Sequence, residues 1–177
     1  MDTDFGNFRI IGFDTNQASA LFTLIDANRT RLETYFAGTV KHTKTLEETI
    51  DYCRQIAIWK EDKSYFMYPI LDTKRNTLIG LIDVKNIDWN VPKAEIGYFI
   101  DHKQQGKGVI SNALKILIRF LIKEYHFKKL LCRINSQNVA SIRVALKNGF
   151  ELEGTIRNDY RTTSNEVVDL NYYGQIF

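Results

Sequence analysis

The chain has 177 residues, 44% of them hydrophobic and 25% charged, with a formal net charge of +3 at pH 7. These values suit one globular domain spanning residues 1–177 with a sizeable core, and so small a positive surplus, interspersed with acidic residues, argues against nucleic-acid binding. Cys53 and Cys132 lack zinc-site spacing and read as buried free thiols, so no metal is expected. No run approaches the roughly 20 apolar residues of a membrane span, and the opening "MDTDFGNFRI" is not a signal peptide. A cytoplasmic location and no membrane partner are the resulting expectations.

In chain order, "FRIIGFD" predicts a first strand, and "NQASALFTLIDANRTRLETYF" a helix with Asn16 as its N-cap. "TLEETIDYCRQIAIWKEDK" predicts a second helix, with Thr45 and Glu48 at capping-box spacing and an apolar face of Ile50, Cys53, Ile56 and Ala57. "SYFMYPIL" and "TLIGLIDVKNID" read as strands joined by the turn "DTKRN". "AEIGYFID" alternates cleanly: Ala94, Ile96, Tyr98 and Ile100 face one way, Glu95, Gly97, Phe99 and Asp101 the other.

A glycine loop follows, and then a widely apolar helix from about Val109 to Tyr125, which predicts burial against a sheet. "KKLLCRIN" is the next strand. "NVASIRVALKNGF" is a short helix, with Asn138 and Ser141 as candidate caps and Gly149 placed to end it in the left-handed conformation. Two strands joined by "TTSN" close the chain. The β-α-β unit in the middle implies at least one parallel pair in an otherwise antiparallel sheet.

The loop Gln105-Gly106-Lys107-Gly108 sits at the seam between strand and helix. A helix start has backbone N–H groups without partners and a partial positive charge, and a phosphate satisfies both. Glycines let the backbone approach such an anion closely, and Lys107 adds charge. Gln105 to Asn112 is therefore a candidate diphosphate cradle. It lacks the Gly-x-x-x-x-Gly-Lys-Ser/Thr run of a P-loop, and Ser111 stands where a dinucleotide fingerprint needs its third glycine. Read alone, the two glycines also suit a plain strand-to-helix turn.

Gln105-Gly106-Lys107-Gly108 resembles the Gln/Arg-x-x-Gly-x-Gly/Ala coenzyme signature of the GNAT superfamily of N-acetyltransferases, with Ile110 in its last position. "AEIGYFID" and "NSQNVASIRVALKNGFELEG" resemble the flanking segments of that superfamily. "LIDANRTRLETYF", "NIDW", "QGKG" and "DLNYY" resemble, in order and spacing, its ribosomal-protein N-terminal acetyltransferases. The resemblance implies an α/β (α+β) fold: a mixed central sheet of about six or seven strands flanked by about four helices. It implies acetyl-CoA as cosubstrate and a primary amine as acceptor, foremost the α-amine of a ribosomal protein. A polyamine or aminoglycoside-like amine is the alternative, and a coenzyme-binding module without turnover a third reading. It also implies a homodimer.

On that reading the coenzyme contacts are Phe99, Ile100, Gln105, Gly106, Lys107, Gly108, Val109, Ile110, Ser111, Asn112, Asn135 and Asn138, with the pantetheine arm lying along the strand that holds Phe99 and Ile100. Acetyl transfer needs a base for the amine and an acid for the departing thiolate. Glu95 is the candidate base, because Gly97 would leave its strand face bare beside the carboxylate. Glu95 equally suits a pair with a neighbouring Lys or Arg, and His102 is the second candidate base. Ser141 is the candidate acid, one helical turn from Asn138, although helix capping explains both residues as well. Glu33, Tyr35, Tyr68, Asn158 and Tyr160 are candidate acceptor contacts, whereas Trp89 and Tyr98 read as core or interface aromatics.

Overall fold

A computed structural model describes residues 1–177 as one eight-stranded mixed sheet with helices on both faces. The strands are β1 (Thr3–Phe5), β2 (Phe8–Ile10), β3 (Phe66–Asp72), β4 (Thr77–Asp88), β5 (Lys93–Ile100), β6 (Lys129–Ile134), β7 (Glu151–Arg161) and β8 (Val167–Ile176). The helices are α1 (Ala18–Asp26), α2 (Arg29–Tyr35), α3 (Ala37–Lys41), α4 (Leu46–Glu61), α5 (Val109–Tyr125) and α6 (Val139–Lys147). The sheet order is β1-β2-β3-β4-β5-β6-β8-β7.

The expected mixed architecture is present, with three differences near the N-terminus. The first strand is a hairpin, β1 and β2, turned at Gly6 with φ +65°. The expected first helix is broken into α1 and α2, with α3 following. Asn28 sits at the break, its side-chain amide donating to the Leu24 carbonyl and its Oδ1 accepting from the His102 N–H 3.0 Å away. The N-cap is Asp14, not Asn16: Asp14 accepts from the Asn16 N–H and forms a capping box with Gln17 around a short 3-10 turn.

In α4, Thr45 accepts from the Glu48 N–H as its spacing predicts, while the Glu48 carboxylate reaches the Lys44 N–H one residue before the cap. The buried stripe of α4 is Thr49, Tyr52, Cys53 and Ile56; Ile50 faces solvent. Gly149 ends α6 at φ +87°.

β5 divides the molecule. Its residues Ala94, Ile96, Tyr98 and Ile100 enter one core, with Val109, Leu114, Leu117 and Leu121 of α5. Phe99, on the opposite face, enters the second core under α1 and α4, with Leu21, Ile25, Cys53 and Ile56. Period-two alternation thus separates two cores with one strand. Leu114, Leu117 and Leu121 are fully buried, and at about 1.5–3 kcal/mol each they clamp α5 to the sheet and fix its first turn in space.

The parallel pair is β5 with β6, and it is short. Only Lys93, Ala94 and Glu95 pair with Lys129, Leu130 and Leu131. Beyond that point β5 continues beside β4 to Ile100, while β6 continues beside β8 to Ile134. The two central strands therefore diverge from Glu95 onward, and a cleft opens through the middle of the sheet.

Candidate active site

The cleft has a wide outer groove and a narrow inner end. The groove has a volume of about 660 Å³, and its lining includes Phe99 and Ile100 of β5, the glycine loop, the first turn of α5, and one side of α6. Gly106 and Gly108 both sit at φ +74°, and a Cβ at either would meet nothing within 4 Å. The loop thus needs glycine for its backbone and faces open space. Gly108 caps α5 without any side-chain hydrogen bond. The N–H groups from Gly106 to Ser111 find no acceptor within the protein, so this 17-residue helix presents its positive end to the groove.

The structure sorts the predicted coenzyme contacts. Phe99, Ile100, Gln105, Gly106, Gly108, Val109, Ile110, Ser111 and Asn138 line the groove. Asn135 lies at the inner end. Lys107 and Asn112 are outside the lining. The Lys107 ammonium turns back to donate to the Lys103 carbonyl (2.7 Å) and the Gln104 side chain (3.1 Å). The Ser111 hydroxyl accepts from the Asn148 amide (3.0 Å), leaving its backbone N–H as its offer to a ligand.

Three cations that sequence reading missed line the groove: Arg31, Arg143 and Lys147. Arg143 and Lys147 sit at i, i+4 on α6, a spacing that marks one helix face. Arg31 gives no such signal, because it reaches the site across the fold, donating to the Ile100 carbonyl and to Asn28 Oδ1. Desolvation lowers its pKa, against the opposing charge of Asp101.

At the inner end, a space of about 90 Å³ is lined by Tyr35, Phe36, Lys85, Glu95, Gly97, Tyr98, Cys132, Arg133, Ser141 and Tyr160, among others. Glu95 is only 7% exposed. Its Oε2 accepts two hydrogen bonds of 2.7 Å, from Arg133 Nε and from the Asn86 side-chain amide, while Lys85 Nζ stands 3.8 Å from Oε1. Asn86 sits at a bulge of β4 with φ +49°, which aims its amide at the carboxylate. Arg133 also pairs with Asp159 at 3.2 Å, and the Tyr172 hydroxyl donates to the same Asp159 oxygen at 2.9 Å. Burial acts to lower the Arg133 pKa, but Glu95 and the Tyr172 side chain outweigh it and the net shift is upward. At Lys85, burial again acts downward, and Asp83 and Glu95 together drive the pKa up.

The space that Gly97 would have left bare is filled by a neighbour. A Cβ there would lie 2.2 Å from Asp83 Oδ1 and 3.0 Å from Lys85 Nζ. Asp83, on β4 directly across from Gly97, had no sequence signal of its own.

Ser141 lies in the first turn of α6. Its N–H donates to the Asn138 cap at 3.2 Å, and its carbonyl accepts from the buried Tyr98 hydroxyl at 2.8 Å. Capping and placement at the cleft thus coexist, with the Ser141 hydroxyl taking part in no internal hydrogen bond. Tyr35 and Tyr160 line the inner end, and the Tyr160 hydroxyl accepts from the Ala37 N–H. Tyr68 belongs to the core on the other face, Asn158 is exposed, and Glu33 meets the β7–β8 loop through its carbonyl. His102 lies in an exposed turn, 3.0 Å from Asp101, outside both parts of the cleft. Trp89 stacks on Phe127 at 5.2 Å, while staying partly exposed.

Residues 9–151 match the family model described as an acetyltransferase (GNAT) domain. The ribosomal-protein-serine acetyltransferase of Escherichia coli is 30% identical over 172 residues, covering 91% of this chain and 88% of that protein. The ribosomal-protein-S5-alanine acetyltransferase of Vibrio fischeri superposes with a TM-score of 0.92 at 19% identity, over 99% of this chain and 96% of that one. A ribosomal L7/L12 α-N-protein acetyltransferase in complex with coenzyme A superposes with a TM-score of 0.91 at 22% identity, over 100% of this chain and 98% of that one. The chain belongs to the GNAT acetyltransferases and is an N-acetyltransferase.

Proposed function

We propose that the protein transfers the acetyl group of acetyl-CoA to the N-terminal α-amine of a ribosomal protein, and that it works as a homodimer. The observation that carries the coenzyme half is the splayed β5–β6 gap running into an uncapped helix start. The diphosphate of coenzyme A fits the free amides from Gly106 to Ser111, with Arg143 and Lys147 of α6 adding charge. The pantetheine arm fits the groove along Phe99 and Ile100, and its sulfur lies at the turn that holds Ser141. The protein acceptor is supported by the similarity to the E. coli ribosomal-protein-serine acetyltransferase along almost the whole chain.

Chemically, the acceptor amine attacks the thioester carbonyl and the C–S bond breaks. The Ser141 hydroxyl, free of internal hydrogen bonds, donates a proton to the departing thiolate. Glu95 retains Oε1 for a water or for the amine, while Arg133 and Asn86 hold Oε2 and fix the carboxylate in place. The amine's proton passes to Glu95 Oε1, directly or through a water, and Ser141, which lines the open groove, recovers its own proton from solvent.

The test is incubation with acetyl-CoA and purified ribosomal proteins, followed by intact-mass measurement. The predicted result is the mass of one acetyl group gained on one protein, mapped to its N-terminal residue. Absence of that gain across the ribosomal set, with transfer to polyamines instead, would replace the protein acceptor with a small amine.

A further inference from the structure

Just behind the lining of the inner cleft, one buried carboxylate oxygen has no partner. Asp83 is 2% exposed on β4. Its Oδ2 takes only long contacts, 3.3 Å from the Tyr65 hydroxyl and 3.4 Å from Lys85 Nζ. Its Oδ1 is buried and has no partner at all. Glu95, two residues of sheet away, is by contrast firmly bonded. The connected group contains three carboxylates (Asp83, Glu95, Asp159) and two cations (Lys85, Arg133), leaving one formal negative charge. A buried carboxylate oxygen without a donor is costly, and this one lies against Gly97 and Lys85, which both line the inner cleft.

We propose that Asp83 and Glu95 form a two-carboxylate seat for the acceptor's ammonium group, with the Lys85 ammonium as its resident placeholder. This rests on the N-acetyltransferase reading and adds a residue to it: Asp83 is an acceptor-binding group. Lys85 suits the placeholder role because its ammonium lies between the two carboxylates, at 3.4 and 3.8 Å, and is tightly bound to neither. Its other neighbour is the Phe36 ring, 5.8 Å from the ammonium. An arriving R–NH3+ brings the missing positive charge and the missing donor, and Lys85 swings toward solvent on its flexible stem. Gly97 makes room for the Asp83 carboxylate, since any side chain there would collide with Asp83 Oδ1 and push it from the seat.

Asp83→Asn preserves the side-chain volume and removes the charge. Steady-state rates are measured with two acceptors, a short peptide bearing a free α-amine and n-butylamine. The predicted result is an acceptor KM raised about tenfold or more, the scale of one charge-assisted hydrogen bond, with the acetyl-CoA KM unchanged and the melting temperature no lower than wild type. Lys85→Met should move the acceptor KM in the opposite direction, because the competing cation is gone. If the wild type acetylates butylamine and not the peptide, the proposed protein acceptor falls, and the Asp83 seat is still read from the butylamine KM. An unchanged acceptor KM in Asp83→Asn overturns the inference. So does a melting temperature lowered by several degrees with both KM values rising together, the signature of a purely structural carboxylate.

Discussion

Glu95→Gln separates the structural share of Glu95 from its chemical share. The substitution preserves shape and one acceptor oxygen but deletes the charge that faces Arg133 at 2.7 Å and Lys85 at 3.8 Å. Stripping one partner from a fully buried pair costs about 3–5 kcal/mol. Here the loss is smaller, because Arg133 retains Asp159 and Lys85 retains Asp83. About 2 kcal/mol follows, which for a chain of this size lowers the melting temperature by about 4–8 °C. If Oε1 also receives the amine's proton, kcat falls by a further factor of about 10²–10⁴. Differential scanning calorimetry and steady-state kinetics on the same preparation read the two effects separately. A kcat within twofold of wild type beside a clear loss of stability would show that Glu95 only holds the network together, and the base assignment would be wrong.

Ser141→Ala should lower kcat by about 10²-fold or more as thiolate protonation is lost, with the acetyl-CoA KM little changed; a kcat equal to wild type would remove Ser141 from the chemistry. Arg143→Met with Lys147→Met should weaken coenzyme binding in a way that fades as salt is raised, measured by isothermal titration at two ionic strengths; equal affinity in both would place the phosphates elsewhere. Burial raises the Cys53 thiol from 9.0 to about 11, so the unfolded chain loses that proton first as pH rises. Cys53 therefore contributes stability that is complete below pH 9 and lost between there and about pH 11. Alkaline denaturation of Cys53→Ala should be correspondingly shallower over that window, and an unchanged profile would contradict the shift. Both thiols are buried, so dithiobis-nitrobenzoate should titrate neither at pH 8 until denaturant is added.

What could be read in the sequence was what depends on local periodicity. The alternation of β5 placed Ala94, Ile96, Tyr98 and Ile100 opposite Phe99, and the two cores divide on those faces. The bounds of α5 and the glycines before it followed from a helical pattern and from the φ that only glycine adopts freely. What escaped were features created by distant contacts. Asn28 looks like any helix residue, yet it breaks α1 from α2 by bonding to His102 at the end of β5. Asp83, Lys85, Glu95, Arg133 and Asp159 come from four strands, and no spacing along the chain announces that they meet. The space beside Gly97 was foreseen, but the carboxylate that fills it comes from the neighbouring strand, which only register reveals. Lys107 was assigned to the phosphate by its charge. In this structure its side chain bonds the Lys103 carbonyl and the Gln104 side chain, a local contact that charge alone does not announce.

A crystal structure of the protein with acetyl-CoA bound tests the central claim most directly. Diphosphate oxygens are expected within hydrogen-bond reach of the amides between Gly106 and Ser111, with the pantetheine arm threaded between the diverging β5 and β6 and the sulfur beside Ser141. A coenzyme bound away from this loop, or lying across the sheet without entering the gap after Glu95, would contradict it.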